Sequence, residues 1–411
     1  MWYRQVFSAS NTKPIKFLQF CCATPSASVI GVEPTPFSLG SLTKISEIFL
    51  GWYKVLGGAL FALCVYGAGD SASIAADSFK VGDATYSVVI QQPLTPLVGL
   101  GIHNTIPQKI VGFDRNNKVY SLEALIGTLV LTPLKDFAPV PQPLLKDKVE
   151  NSAVSYGKTE IQYAYFADTV EGAFSPILGK LPVGRTLVAT LKNGADVRFS
   201  LPAGYVYENT APVVIDLNND GLEEIVVTET NTQTGTSVLG LYITVEGRLK
   251  RMANSPALPQ QGHWVDALGT LDWQEDGKPS ILAIEAPNIN GFLQFYGMKN
   301  GKMESVRREY GYSSRIVGTP LAPTLLLADM DDNGTQELMI PRNSMDALAI
   351  LSFTKGLMTR LYETDLPAPI ASAFYIAYTA PPENPKRAVH SIAFFLRDGQ
   401  IALITRVQKA Q

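Results

Sequence analysis

One short acidic loop recurs along this chain at a fixed interval, and that interval limits the fold more than any other feature. The first copy is Asp216-Leu217-Asn218-Asn219-Asp220-Gly221-Leu222-Glu223-Glu224, set between the apolar runs Pro212-Val213-Val214-Ile215 and Ile225-Val226-Val227. A second copy, Asp329-Met330-Asp331-Asp332-Asn333-Gly334-Thr335-Gln336-Glu337, lies between Leu325-Leu326-Leu327-Ala328 and Leu338-Met339-Ile340. Midway stands a weaker one, Asp272-Trp273-Gln274-Glu275-Asp276-Gly277-Lys278-Pro279-Ser280. The three loops begin 56 and 57 residues apart. Hairpin-turn signals keep the same beat. They fall at Asn193-Gly194, Glu246-Gly247, Asn300-Gly301 and Lys355-Gly356, whose glycines are 53, 54 and 55 residues apart. A period in this range is the mark of a repeat architecture.

One acidic loop plus one tight hairpin joins four strands, which is one propeller blade. The expectation is therefore an all-β region over 77–411, a β-propeller of six or seven four-stranded blades, clearest over 205–350. Two further turn signals, Asn116-Asn117 and Asp398-Gly399, stand off the beat, 77 residues before Gly194 and 43 after Gly356. The region around Val81-Gly82-Asp83 would complete a seventh blade by pairing N- and C-terminal strands. Only Leu122–Leu131 is ambiguous between helix and strand.

The loops carry oxygen side chains at positions 1, 3, 5 and 9 and glycine at 6. Calcium takes six to eight oxygens from carboxylates, amides and backbone carbonyls. Asp216, Asn218, Asp220 and Glu224, with the carbonyl of Leu222, make one candidate Ca2+ site. Asp329, Asp331, Asn333 and Glu337, with the carbonyl of Thr335, make a second. An EF-hand would need a Glu at position 12 and flanking helices. Position 12 is Val227 or Ile340, and the β-branched flanks read as strands. The middle loop ends in Ser280, keeps only Asp272 and Asp276 as ligating carboxylates, and should bind weakly or not at all. The plain alternative is a set of solvated turns, since Asn, Asp and Gly dominate turns in any case. These loops, each followed by an apolar strand, resemble FG-GAP/VCBS repeats, as in integrin-α-type propellers. The resemblance implies a propeller with calcium on loops within individual blades, away from the usual ligand-binding face, and no single activity.

Residues 1–43 show no sustained period and read as a disordered or mis-annotated leader. Over 44–76 a lysine-flanked apolar run, Val55 to Ala68, precedes the small-residue pattern Ser73-Ile74-Ala75-Ala76. Such a segment is a signal peptide cleaved near Ala75 or, uncleaved, a membrane tether through 45–68. The expected location is secreted, periplasmic or cell-surface. All three cysteines precede residue 65, so 77–411 has no thiolate zinc site. With 17% charged residues and a net charge of −3, the chain offers no basic patch for nucleic acid.

His103, His263 and His390 have no metal-ligand spacing, and no His-Glu-x-x-His, Gly-x-Ser-x-Gly or P-loop motif occurs. Trp264, Trp273, Tyr310 and Tyr312 are candidates either for sugar stacking or for the core. The sequence points to a non-enzymatic, monomeric, calcium-stabilised propeller that binds a protein or glycan ligand. The alternatives are a secreted hydrolase or lyase acting on polysaccharide, and a membrane-tethered assembly protein.

Overall fold

The computed structural model describes residues 77–407 apart from 151, 173–176, 259–262, 288, 320, 322–323, 381–383 and 385–386. The expected leader, signal or anchor within 1–76 lies outside these residues. The described chain is all-β, with 26 strands in five antiparallel sheets. In chain order, β1 (Asp77–Val81) and β2 (Ala84–Gln91) form a hairpin, followed by a four-stranded meander of β3 (Leu97–His103), β4 (Lys109–Asp114), β5 (Val119–Leu125) and β6 (Thr128–Pro133). A nine-stranded sheet comprises β7 (Ser155–Tyr156), β8 (Ile161–Val170), β9 (Val183–Leu191), β10 (Asp196–Ser200), β11 (Tyr205–Tyr207), β12 (Val213–Ile215), β13 (Glu224–Asn231), β14 (Ser237–Val245) and β15 (Arg248–Asn254). It is two meanders fused, because β11 pairs with β9 on one side and β13 on the other. Two further meanders are β16 (Val265–Leu271) to β19 (Lys302–Tyr310) through β17 (Ser280–Glu285) and β18 (Phe292–Lys299), and β20 (Leu326–Ala328) to β23 (Leu357–Asp365) through β21 (Glu337–Pro341) and β22 (Ala347–Thr354). The last sheet joins both ends of the described chain: β24 (Tyr375–Tyr378), β25 (Val389–Phe395) and β26 (Ile401–Arg406) continue into β2 and β1.

Burial explains the sequence pattern. The second strand of each acidic-loop unit is covered on both faces, so β13, β17 and β21 are apolar without alternation. The fourth strands β19 and β23 are exposed over most of their length and carry charged residues, which guard the sheet edges. Between successive units lies one apolar cluster apiece. Leu187 and Ala189 meet Val227 and Tyr242, and Val226 and Leu241 meet Ala267 and Ile281. Leu282 and Phe295 meet Leu338 and Leu351, and Met339 and Ile350 meet Tyr86 and Phe394. Val89 and Leu403 then meet Leu100 and Leu122. The edge strands β7, β12, β16, β20 and β24, with adjoining loop residues, line one cavity of about 410 Å³.

The off-beat turns have a topological cause. Asn193-Gly194, Glu246-Gly247, Asn300-Gly301 and Lys355-Gly356 join third to fourth strands of their meanders. Asn116-Asn117 instead joins the second and third strands of its meander, and Asp398-Gly399 joins β25 to β26. The turn on the beat is Ile126-Gly127, inside the stretch that was ambiguous; Leu122–Leu131 is a hairpin, not a helix. Turn chemistry also differs from expectation. Both central residues have positive φ at 126–127, 246–247, 300–301 and 355–356, whereas at 193–194 and 398–399 only the glycine does. Residues 81–84 are the turn between β1 and β2. Those strands extend the sheet of the last hairpin, and no seventh sheet forms among the described residues.

Candidate metal centre

Each acidic loop connects the first strand of its unit to the doubly buried second: β12 to β13, β16 to β17, β20 to β21. All three share one backbone path. Position 4 is left-handed (Asn219 φ 57°, Glu275 57°, Asp332 64°), and so is the glycine at position 6 (Gly221 84°, Gly277 77°, Gly334 91°). A side chain at position 6 would be strained, which explains the invariance of glycine across the copies. Asp at position 1 accepts the glycine N–H in each loop, at 3.1 Å for Asp216, 2.9 Å for Asp272 and 2.9 Å for Asp329. The N–H of position 7 donates to the position 5 side chain: Leu222 to Asp220 at 2.7 Å, Lys278 to Asp276 at 3.0 Å, Thr335 to Asn333 at 2.7 Å. These bonds turn the side-chain oxygens toward the inside of the loop.

The second loop is the tightest. Carboxylate oxygens of Asp329, Asp331 and Glu337 lie within 4.8 Å of one another. Asn333 donates to Asp331 at 3.0 Å, so the amide of the expected ligand set adjoins that triad. In the first loop Asn218 and Asp220 exchange positions 3 and 5 relative to the second copy. There the amide of Asn218 donates to Asp220 at 2.9 Å, and Asp216, Asp220 and Glu224 do not draw into an equally close group. Asp216 Oδ1 is nevertheless enclosed and has no hydrogen-bond partner among the described residues. An enclosed carboxylate oxygen without a donor is costly, and a cation in the loop removes that cost.

Glu224 and Glu337 close the two loops from below. Both are buried, and each accepts the position 2 N–H at 2.8 Å, from Leu217 and Met330 respectively. Burial pushes the Glu337 carboxyl up to about 7; the Met330 N–H opposes this, and the charges of Asp331 and Asp329 add to it. Glu224 is raised in the same way, by burial first and then by Asp220 and Asp216, against the Leu217 N–H. Both loops thus hold a carboxyl that favours a proton until a cation takes its place. In the middle loop Ser280 occupies position 9 and accepts from buried Trp273 Nε1 at 3.2 Å. Its closing residue is a structural hydroxyl.

Several contacts of these loops were not visible in the sequence. Glu223, at position 8, is buried and accepts the N–H groups of Lys158, Thr159 (3.2 Å) and Ile161 (3.2 Å), tying the first loop to the β7–β8 turn. Asp332, at position 4, pairs with Arg406 at 2.6 and 3.2 Å. Tyr86 donates to the carbonyl of Met330 at 2.7 Å, and a Cβ on Gly82 would stand 1.9 Å from Asp331 Oδ2. Of the candidate aromatics, Trp264, Trp273 and Tyr312 are core residues and Tyr310 is exposed. Among the described residues no histidine joins a cluster of metal-ligating side chains. No protein-family model matches the chain, and no curated protein matches it in sequence.

Proposed function

We propose that residues 77–411 form a six-bladed β-propeller stabilised by calcium at 216–224 and 329–337, acting outside the cytoplasm as a non-enzymatic binder of a protein or glycan. The ring is supported by the chain of apolar clusters, by five edge strands sharing one cavity, and by a last sheet built from both ends of the described chain. Counting the fused sheet as two gives six units. Calcium rests above all on the second loop, where three carboxylates converge on a backbone path shared by all three copies. Export rests on the apolar run and small-residue pattern within 44–76. Catalysis on a polysaccharide would need a pair of available carboxyls. The acidic residues at the shared cavity are Asp216 and Glu223, and both Glu223 oxygens already accept backbone N–H groups.

Thermal melts in 1 mM calcium and in EGTA test the metal. Extracellular calcium modules have Kd values of about 10⁻⁴–10⁻³ M. At that calcium level each site adds about 0.4–1.4 kcal/mol. Asp329→Ala and Asp220→Ala should lower the melting temperature in calcium and change it little in chelator. Equal melting temperatures in both media, with no calcium in elemental analysis, would remove the metal from the reading.

A further inference from the structure

The shared cavity has two zones. Along β12 and β20, buried residues (Val213, Ile215, Leu326) alternate with half-buried ones (Val214, Leu327), so one face of each edge strand belongs to the core and the other to the cavity. Thr270 of β16, Ile376 and Tyr378 of β24, and Tyr156 of β7 are half-buried in the same way. This throat is apolar with hydroxyl tips. Toward the acidic loops the lining becomes polar: Lys158, Thr159, Asp216, Asn219 and Gln336. The turn carrying Lys158 and Thr159 is fixed by the Glu223 clamp, so the mouth is built on a held backbone. At about 410 Å³ the cavity falls in the range of small-molecule sites.

We infer that this cavity receives the end of a neutral oligosaccharide. The inference deepens the binding reading and does not depend on the metal. A purely apolar guest would strip water from Asp216, Asn219 and Gln336 and return no hydrogen bonds, at a cost of about 1–3 kcal/mol per group. An anion would face Asp216, and a cation would face Lys158. A sugar unit presents C–H faces to the tyrosines, whose rings are apolar with a polar tip. Its hydroxyls both donate and accept, which suits a mouth containing a carboxylate, two amides and an ammonium.

The test uses the full chain and fluorescently labelled neutral oligosaccharides of glucose, mannose, galactose and xylose, read by fluorescence anisotropy. At least one of these should bind. Thr270→Trp, which fills the throat, and Gln336→Ala, an exposed substitution at the mouth, should each weaken that binding at least about tenfold. Neither residue is a proposed metal ligand, so bound calcium measured by elemental analysis should not change. Failure of all four sugar series to bind overturns the inference. So does undiminished binding by Gln336→Ala together with a folded Thr270→Trp, or by Gln336→Ala alone should Thr270→Trp not fold. Sugar binding that persists in EGTA with no calcium bound would keep this inference while removing the metal.

Discussion

Gly82 shows how much of the candidate site depends on residues far from it in sequence. Its φ is +49°, and the space where a Cβ would sit is filled by Asp331 Oδ2 at 1.9 Å. Gly82→Ala should therefore displace a ligand of the second loop as well as strain its own turn. Gly194 has φ +86° with nothing near its missing Cβ, so Gly194→Ala carries strain alone. Melts of both variants should separate the two effects. Gly194→Ala should lose equal stability in calcium and EGTA, while Gly82→Ala should also lose the calcium-dependent increment of one site. Equal calcium increments in both variants would refute the coupling. The pH response belongs to Glu337. Its carboxyl titrates near 7 in the folded chain, above its ordinary value of 4.5, so between those values the native state binds more protons than the unfolded chain. Stability from this group is present below about pH 4.5 and is lost as pH rises through about 7. In EGTA, the urea midpoint should fall less between about pH 5 and about pH 7.5 for Glu337→Gln than for the parent; identical slopes would contradict the assignment. The ligand positions themselves were legible because they lie within nine consecutive residues. Glu223, Asp332 and Gly82 were not, because their partners lie 62 or more residues away and meet them only through tertiary packing.

Strands and turns were legible in proportion to how local their causes are. The doubly buried β13, β17 and β21 announce themselves as β-branched and aliphatic runs, and the acidic loops between first and second strands carry their glycine on a fixed beat. The 126–127 turn was hidden for a chemical reason. Ile126 has φ 50° and is fully exposed, although a β-branched side chain disfavours the left-handed region. An Ile-Gly pair within an apolar run gives no turn signal, so Leu122–Leu131 passed for an ambiguous segment. Conversely, Asn193-Gly194 looked like a two-residue hairpin turn with both central residues left-handed, and its asparagine keeps negative φ. Ile126→Asn should stabilise the protein by about 1 kcal/mol, because Asn tolerates this conformation and the isoleucine side chain is fully exposed. An unchanged or lower melting temperature would mean that Ile126 is held by contacts beyond those among the described residues.

For the whole molecule, the decisive element is the sheet that joins both ends of the described chain. Six residue pairs link β2 to β26, from Tyr86↔Arg406 to Gln91↔Ile401, and β1 adds a further strand outside β2. Phe79, Val81 and Tyr86 are buried in the cluster that also holds Met339, Ile350 and Phe394. Arg406 and Tyr86 both reach the second acidic loop, through Asp332 and the carbonyl of Met330. The hairpin is thus held by strand pairing, by apolar burial and by the loop that gathers three carboxylates. Its covalent link to the next meander runs through 92–96, where Leu94 is 96% exposed. Exposed loops of this kind are the usual sites of proteolytic nicking. Replacing this loop with a protease site and cutting the full chain there should leave the N-terminal piece bound, since the contacts that hold β1 and β2 do not pass through the cut. The nicked protein should elute from gel filtration at the position of the uncut one and melt cooperatively at a lower temperature. The two pieces should separate only in denaturant. Removal of calcium should ease that separation, because the metal loop and the hairpin share Met330, Asp331 and Asp332 as contacts. Release of the N-terminal piece under native conditions, with the remainder keeping its melting temperature, would show that the joined sheet is not what holds the molecule closed.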